Sequence, residues 1–141
     1  MDIRWGYNNV RIHEGDEWKA AFICKYGLYE PLVMFFGLTN SPAIFQSMMN
    51  TIFNLEIAQQ WLNDYLDNLL IGNEGDKEDL TKKAMIVLDK CEANGLYIKP
   101  EKCEFFTTKV SFLGFIVENG KLAMEEQKVS GITDWPPPEN E

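Results

Sequence analysis

Tyr65-Leu66-Asp67-Asn68 is the stretch whose residue types and spacing best suit chemistry. Apolar runs at 61–66 and 69–72 flank Asp67-Asn68, and both residues tolerate the backbone of a tight turn. A carboxylate at the tip of a hairpin is held rigidly and can face a groove. Joined by a second carboxylate from another strand, it could hold two Mg²⁺ ions about 4 Å apart, as in-line phosphoryl displacement requires. Mg²⁺ takes oxygen ligands and keeps several waters, so two or three carboxylates suffice. On spacing alone, a turn without chemistry accounts for Asp67-Asn68 better. Asp64 is near in sequence, but strand alternation sends it to the opposite face and into solvent. His13, the single histidine, lies in a polar stretch and reads as a surface residue. Cys24, Cys91 and Cys103 are odd in number and form no CxxC pair, so they read as reduced, partly buried thiols.

The elements that must position these residues follow from periodicity and punctuation. Residues 17–24 and 28–34 read as strands around Lys25-Tyr26-Gly27, with Pro31 demoting the second to an edge. Ser41-Pro42 opens a helix, Ser as N-cap and Pro as first helical residue. Ile44, Phe45, Met48, Met49, Ile52 and Phe53 then form one apolar stripe. The clearest helix runs from Asp76 to Asn94, with Leu80, Ala84, Val87, Leu88 and Cys91 on one face and Asn94-Gly95 as its stop. Residues 103–106 suggest a short strand. Residues 110–117 and 121–124 suggest a hairpin through Asn119-Gly120. A short helix from Glu125 to Trp135 precedes Pro136-Pro137-Pro138. Mixed in this order, the elements predict an α+β fold, helices packed on one face of an antiparallel sheet.

The 141 residues suggest one domain able to bury roughly two-thirds of its unfolded surface. Hydrophobic residues make up 45%, which excludes a disordered chain. The net charge of −9 bears on partners: duplex affinity comes largely from Lys and Arg releasing counterions, so this chain alone should bind nucleic acid poorly. No signal peptide is visible, and no apolar run approaches the roughly 20 residues of a membrane span. Intracellular placement is therefore the default, with no membrane partner.

Five segments then stand in a familiar order. They are DIRWGYNNVRI, FFGLTNSPAIFQ, YLDN, GLYIKPEKCEF and FLGFIV. The chain resembles the reverse transcriptase of gypsy-type (Metaviridae) LTR retrotransposons, whose motifs A to E these segments match in order. The resemblance implies a palm over residues 1–135, of which about 10–40 would be the second fingers segment. Residues 136–141 would be a Pro-rich tail or linker stub. It implies RNA-directed DNA polymerisation on an RNA or DNA template-primer with deoxynucleoside triphosphates and two Mg²⁺ ions, for which Mn²⁺ can stand in. Asp2 and Asp67 would be the metal ligands, with Asn68 beside them in motif C. Tyr7 would be the aromatic gate against a ribose 2′-hydroxyl. Phe36, Gly37 and Ser41 would lie near the nucleotide and template. Phe112, Leu113 and Gly114 would form the primer grip. Lys102, ahead of Lys99, would be the proton donor to the leaving pyrophosphate.

Three departures lower the activity expected of this chain. Asn68 stands where the family has a second Asp, which removes one negative charge from the metal site. The chain starts one residue before Asp2, so the strand that ends there in the family is absent, leaving Asp2 without a ladder and the sheet with an exposed edge. The resemblance also implies that the first fingers segment and the thumb would be missing from this stretch. The expectation is a truncated polymerase domain with weak or no activity. The alternative is a non-enzymatic remnant or domesticated interaction module, pairing as a homodimer through that edge.

Overall fold

The computed structural model describes residues 1–133, which gather into two compact units, Met1–Cys103 and a second beginning at Glu104. The first unit contains β1 (Ile3–Arg4), β2 (Phe22–Cys24), β3 (Gly27–Tyr29), α1 (Ser41–Ile52), α2 (Asn54–Ala58), β4 (Leu62–Tyr65), β5 (Asn68–Ile71), α3 (Lys77–Ala93) and β6 (Tyr97–Ile98). The second contains β7 (Lys109–Phe112), β8 (Phe115–Glu118), β9 (Lys121–Met124) and α4 (Glu126–Thr133). The fold is α+β, and its described strands form four small antiparallel sheets rather than one. The expected tail at 136–141 lies outside the described residues.

Helix periodicity translates directly into core. Phe45, Met49 and Phe53 recur every fourth residue and are fully buried, while Ile44 of the same stripe is exposed. Ala84, Val87 and Cys91 of α3 are buried, and Val87 and Cys91 face the same core, joined by Ile3, Leu62, Leu69 and Leu96. Each large apolar side chain removed from water contributes roughly 1.5–3 kcal/mol. At the start of α3, the Asp76 carboxylate accepts the Asp79 amide at 2.9 Å, and Gly95 ends the chain's helical run at φ +66°. Burial pushes the Cys91 thiol up to about 11, so it remains protonated and inert.

Residues 10–34 leave this core as an excursion closed by rungs at its base: Ile12 N–H to Leu32 O at 3.0 Å and Met34 N–H to Val10 O at 2.8 Å. The strand expected over 17–24 is a 3₁₀ turn at Glu17–Ala20 followed by the short β2. Pairing of Phe22 with Tyr29 leaves only three residues for each strand. The helix α1 starts at Ser41 itself, one residue earlier than a Ser41 cap implies.

In the second unit, the run 110–117 is not one strand. It folds back at Leu113-Gly114, both at positive φ (+54° and +78°), so that Phe112 pairs with Phe115. This is the two-residue hairpin geometry that matches strand twist. The expected Asn119-Gly120 turn is present, with φ +49° and +72°. Residues 103–106 form no strand.

Candidate active site

Asp67 sits on the two-residue turn Leu66-Asp67, because Tyr65 pairs with Asn68. The turn is therefore one residue earlier than Asp67-Asn68, and Asn68 is the first residue of β5. Leu66 adopts φ +53°, a left-handed conformation that costs an L residue about 1–2 kcal/mol. Gln46 of α1 holds it there. Its Oε1 accepts the Leu66 amide at 2.7 Å, and its Nε2 donates to Asp64 Oδ2 at 2.6 Å and to Asn50 Oδ1 at 2.9 Å. Asp64 is thus half-buried and hydrogen-bonded, not solvated as strand alternation suggested. Loss of water raises its carboxyl above the ordinary range, partly offset by the Gln46 bond.

Asp2 is held on both sides, contrary to the expectation of an unsupported ligand. On the β5 side, Leu69 N–H donates to Met1 O and Ile3 N–H to Asp67 O, both at 2.8 Å, and Asp2 bridges Asn68. On the other side, Lys99 N–H donates to Asp2 O at 2.9 Å and Ile3 pairs with Ile98. Residues directly opposite in an antiparallel pair point to one face, so Asp2 and Asn68 share a face beside the Asp67 turn. Chain segments 66 residues apart meet here because Ile3 and Leu69 are both drawn into the core.

Two cations address the Asp2 carboxylate, whose side chain is 14% exposed. Lys99 Nζ lies 2.6 Å from Oδ1, and Lys102 Nζ 3.9 Å from Oδ2. Oδ1 is thereby buried against the Lys99 ammonium, which balances its charge. A sheltered carboxylate with Asn68 opposite it and Asp67 on the adjoining turn has the oxygen chemistry that a hard divalent cation takes. The described residues contain no group of three or more Asp, Glu, His or Cys that could hold a metal.

A small hollow of about 30 Å³ adjoins Asp67, lined by Gly6, Tyr7, Phe36, Phe45 and Leu66. The Tyr7 ring meets Phe36 and Phe45 edge-on, with centroids 5.0 and 5.7 Å apart. Gly6 permits this packing: a Cβ there would lie 2.9 Å from the Phe45 ring. Phe36 is 77% exposed, and Gly37 follows it at φ +106°. Ser41 stands away from the hollow; it is buried and its hydroxyl donates to Phe35 O at 3.3 Å, bracing the loop before α1. A larger depression of about 430 Å³ includes Arg11, His13, Lys19, Ser41 and Ile44. Its cationic side chains are engaged, Arg11 with Glu17 and Lys19 with Asp16. Phe112, Leu113 and Gly114 form the β7–β8 turn of the second unit, where Lys128 Nζ donates to Leu113 O at 3.1 Å.

Sequence reasoning does not single out Gln46, Gly6 or Phe45 as site residues. Gln46 lies within FFGLTNSPAIFQ, but a polar residue beside an apolar helical stripe is ordinary, and only the fold marks its role.

The family described as reverse transcriptase (RNA-dependent DNA polymerase) matches residues 1–117. The Transposon Tf2-7 polyprotein of Schizosaccharomyces pombe (strain 972 / ATCC 24843) is 33% identical over 140 residues, 99% of this chain. The Transposon Tf2-3 polyprotein of the same organism is 32% identical over the same span. The chain spans about a tenth of the length of these polyproteins (10%). Among solved structures, the foamy viral protease-reverse transcriptase in complex with RNA/DNA hybrid superposes with a TM-score of 0.81 at 18% identity, over 97% of this chain and 18% of that one. The same viral protein in complex with dsDNA gives 0.82 at 20% identity, over 98% and 28%.

Proposed function

This chain belongs to the reverse transcriptase (RNA-dependent DNA polymerase) family, and from that membership we propose that it carries the metal-holding carboxylates of a gypsy-type retrotransposon polymerase. The reaction is attack of a primer 3′-hydroxyl on the α-phosphate of a deoxynucleoside triphosphate, directed by an RNA or DNA template. The observation that carries this reading is the antiparallel contact between Asp2 and Asn68, which sets Asp2 beside the Asp67 turn.

Asp2 and Asp67 are the residues to hold divalent ions, Mg²⁺ or Mn²⁺, with Asn68 supplying an uncharged oxygen. Ions bound there would lower the proton affinity of the attacking hydroxyl and offset charge on the departing pyrophosphate. The chain's own groups do the rest. The Gln46 clamp fixes the turn that bears Asp67. Tyr7, braced by Phe36 and Phe45, walls the hollow where a sugar edge would lie and excludes an added hydroxyl. Phe36 and Gly37 border the nucleotide and template. Lys102, the more exposed of the two lysines at Asp2, is free to meet phosphate oxygens and deliver a proton to them. Phe112, Leu113 and Gly114 are assigned to the primer strand by motif order alone. With one carboxylate replaced by Asn68 and a net charge of −9, the chain by itself should bind template-primer weakly and polymerise slowly.

Primer extension on a primed RNA template, with Mg²⁺ or Mn²⁺, tests the reading. Incorporation should be low, vanish in Asp2→Ala and Asp67→Ala, and rise about tenfold in Asn68→Asp, where the site regains a unit charge. Incorporation indifferent to all three substitutions would sink it.

A further inference from the structure

Lys99 is bound to Asp2 more firmly than a surface lysine would be. Its own amide donates to the Asp2 carbonyl at 2.9 Å while its ammonium lies 2.6 Å from Oδ1. Pro100 follows, and a residue before proline is confined to extended backbone; Lys99 has φ −94° and ψ 95°. Main chain and side chain therefore hold one lysine against one carboxylate. The pair is sheltered, with side-chain exposures of 21% and 14%, whereas Lys102 is 62% exposed and stands off at 3.9 Å.

We propose that Lys99 is a built-in counter-cation that occupies Asp2 in competition with a divalent ion, so that metal binding and the Lys99–Asp2 contact exclude each other. The exclusion is electrostatic. A divalent ion coordinated by a buried carboxylate oxygen cannot share it with an ammonium at contact distance, since their repulsion is little screened there. Lys99 must swing away on its flexible stem for the ion to enter, and Lys102, exposed and more distant, need not. Lys99 thereby sets how much metal the site requires. The inference rests on the reading of Asp2 as a metal ligand.

Manganese binding, followed by the electron paramagnetic resonance of free Mn²⁺ at constant pH, tests it without reference to activity. Lys99→Gln should tighten Asp2-dependent Mn²⁺ binding at least about tenfold, Lys99→Arg should keep it weak, and Lys102→Gln should change it less than about threefold. Equal affinity in the native chain and Lys99→Gln, abolished in both by Asp2→Asn, overturns the inference and leaves the metal reading standing. No binding in either, or binding indifferent to Asp2→Asn, overturns the metal reading itself and the inference with it. A second measurement covers a Lys99→Gln chain that fails to fold. In the native chain, saturating Mn²⁺ should raise acetic anhydride labelling of Lys99 relative to Lys102, read by mass spectrometry. An unchanged labelling ratio overturns the inference.

Discussion

Replacing Gln46 by Ala should release the turn that carries Asp67. Three hydrogen bonds go: the Leu66 amide to Oε1 at 2.7 Å, Nε2 to Asp64 at 2.6 Å and Nε2 to Asn50 at 2.9 Å. They do not count equally. Asn50 is exposed, and water replaces its bond at almost no cost. Asp64 is half-exposed, so its bond contributes about 0.5–1 kcal/mol after screening. The Leu66 amide is partly buried and is left without its acceptor, a loss of about 1–2 kcal/mol. The sum is about 2 kcal/mol. Because Leu66 holds a left-handed conformation that its own side chain opposes, the relaxation should concentrate at this turn. Hydrogen exchange of the Leu66 amide reads it directly and should accelerate about 30-fold, with urea unfolding reporting the same loss globally. Gln46→Glu makes the test sharper. It keeps an acceptor for Leu66 but sets a second carboxylate against Asp64, so it should be worse than Ala at neutral pH, and Asp64→Asn should rescue it. Leu66 exchange unchanged in Gln46→Ala, or a stability loss under about 0.5 kcal/mol, would refute the clamp.

Other outcomes follow from single contacts. The Asp64 carboxyl is raised by desolvation, so its charged form is disfavoured in the fold and its stabilising effect is complete at low pH and lost as pH rises through its folded value. Asp64→Asn should therefore raise the melting temperature at neutral pH by on the order of 1 °C, given solvent screening, and the gain should disappear in acid. Gly6→Ala drives a methyl against the buried Phe45 ring and should cost about 1–3 kcal/mol in thermal unfolding. Lys90 donates to the Glu56 carboxylate at 2.6 Å and to Ile52 O at 2.9 Å, and Glu56 is 5% exposed. Lys90→Met strands that carboxylate and should cost about 3 kcal/mol in urea unfolding, whereas a loss below about 1 kcal/mol would mean that water reaches it.

Local chemistry carried much of the fold in the sequence. The helix that opens at Asp76, the four-residue spacing of Phe45, Met49 and Phe53, and the Asn119-Gly120 turn are each decided within a few residues, by backbone geometry and side-chain reach. The ordered segments from DIRWGYNNVRI to FLGFIV identified the family, because five matches in sequence constrain one another. Local signals failed where two answers were locally acceptable. VSFLGFIV reads as one strand, whereas the left-handed backbone at Leu113-Gly114 folds it into a hairpin. The YLDN turn slips by one residue because Gln46, 20 positions away, holds Leu66 where glycine would be expected.

Which residue stands opposite which was the part that tertiary structure alone decided. Asp2 is gripped by β5 and by Lys99, partners 66 to 97 positions distant, so no reading of its neighbourhood reveals that it is supported. The choice between Lys99 and Lys102 at its carboxylate depends on the same packing, since Ile3 and Ile98 must pair before Lys99 can lie beside Asp2. Residue type and spacing determine what chemistry a side chain can perform. The burial of a shared core determines which side chains meet, because that energy belongs to the whole unit and to no single segment.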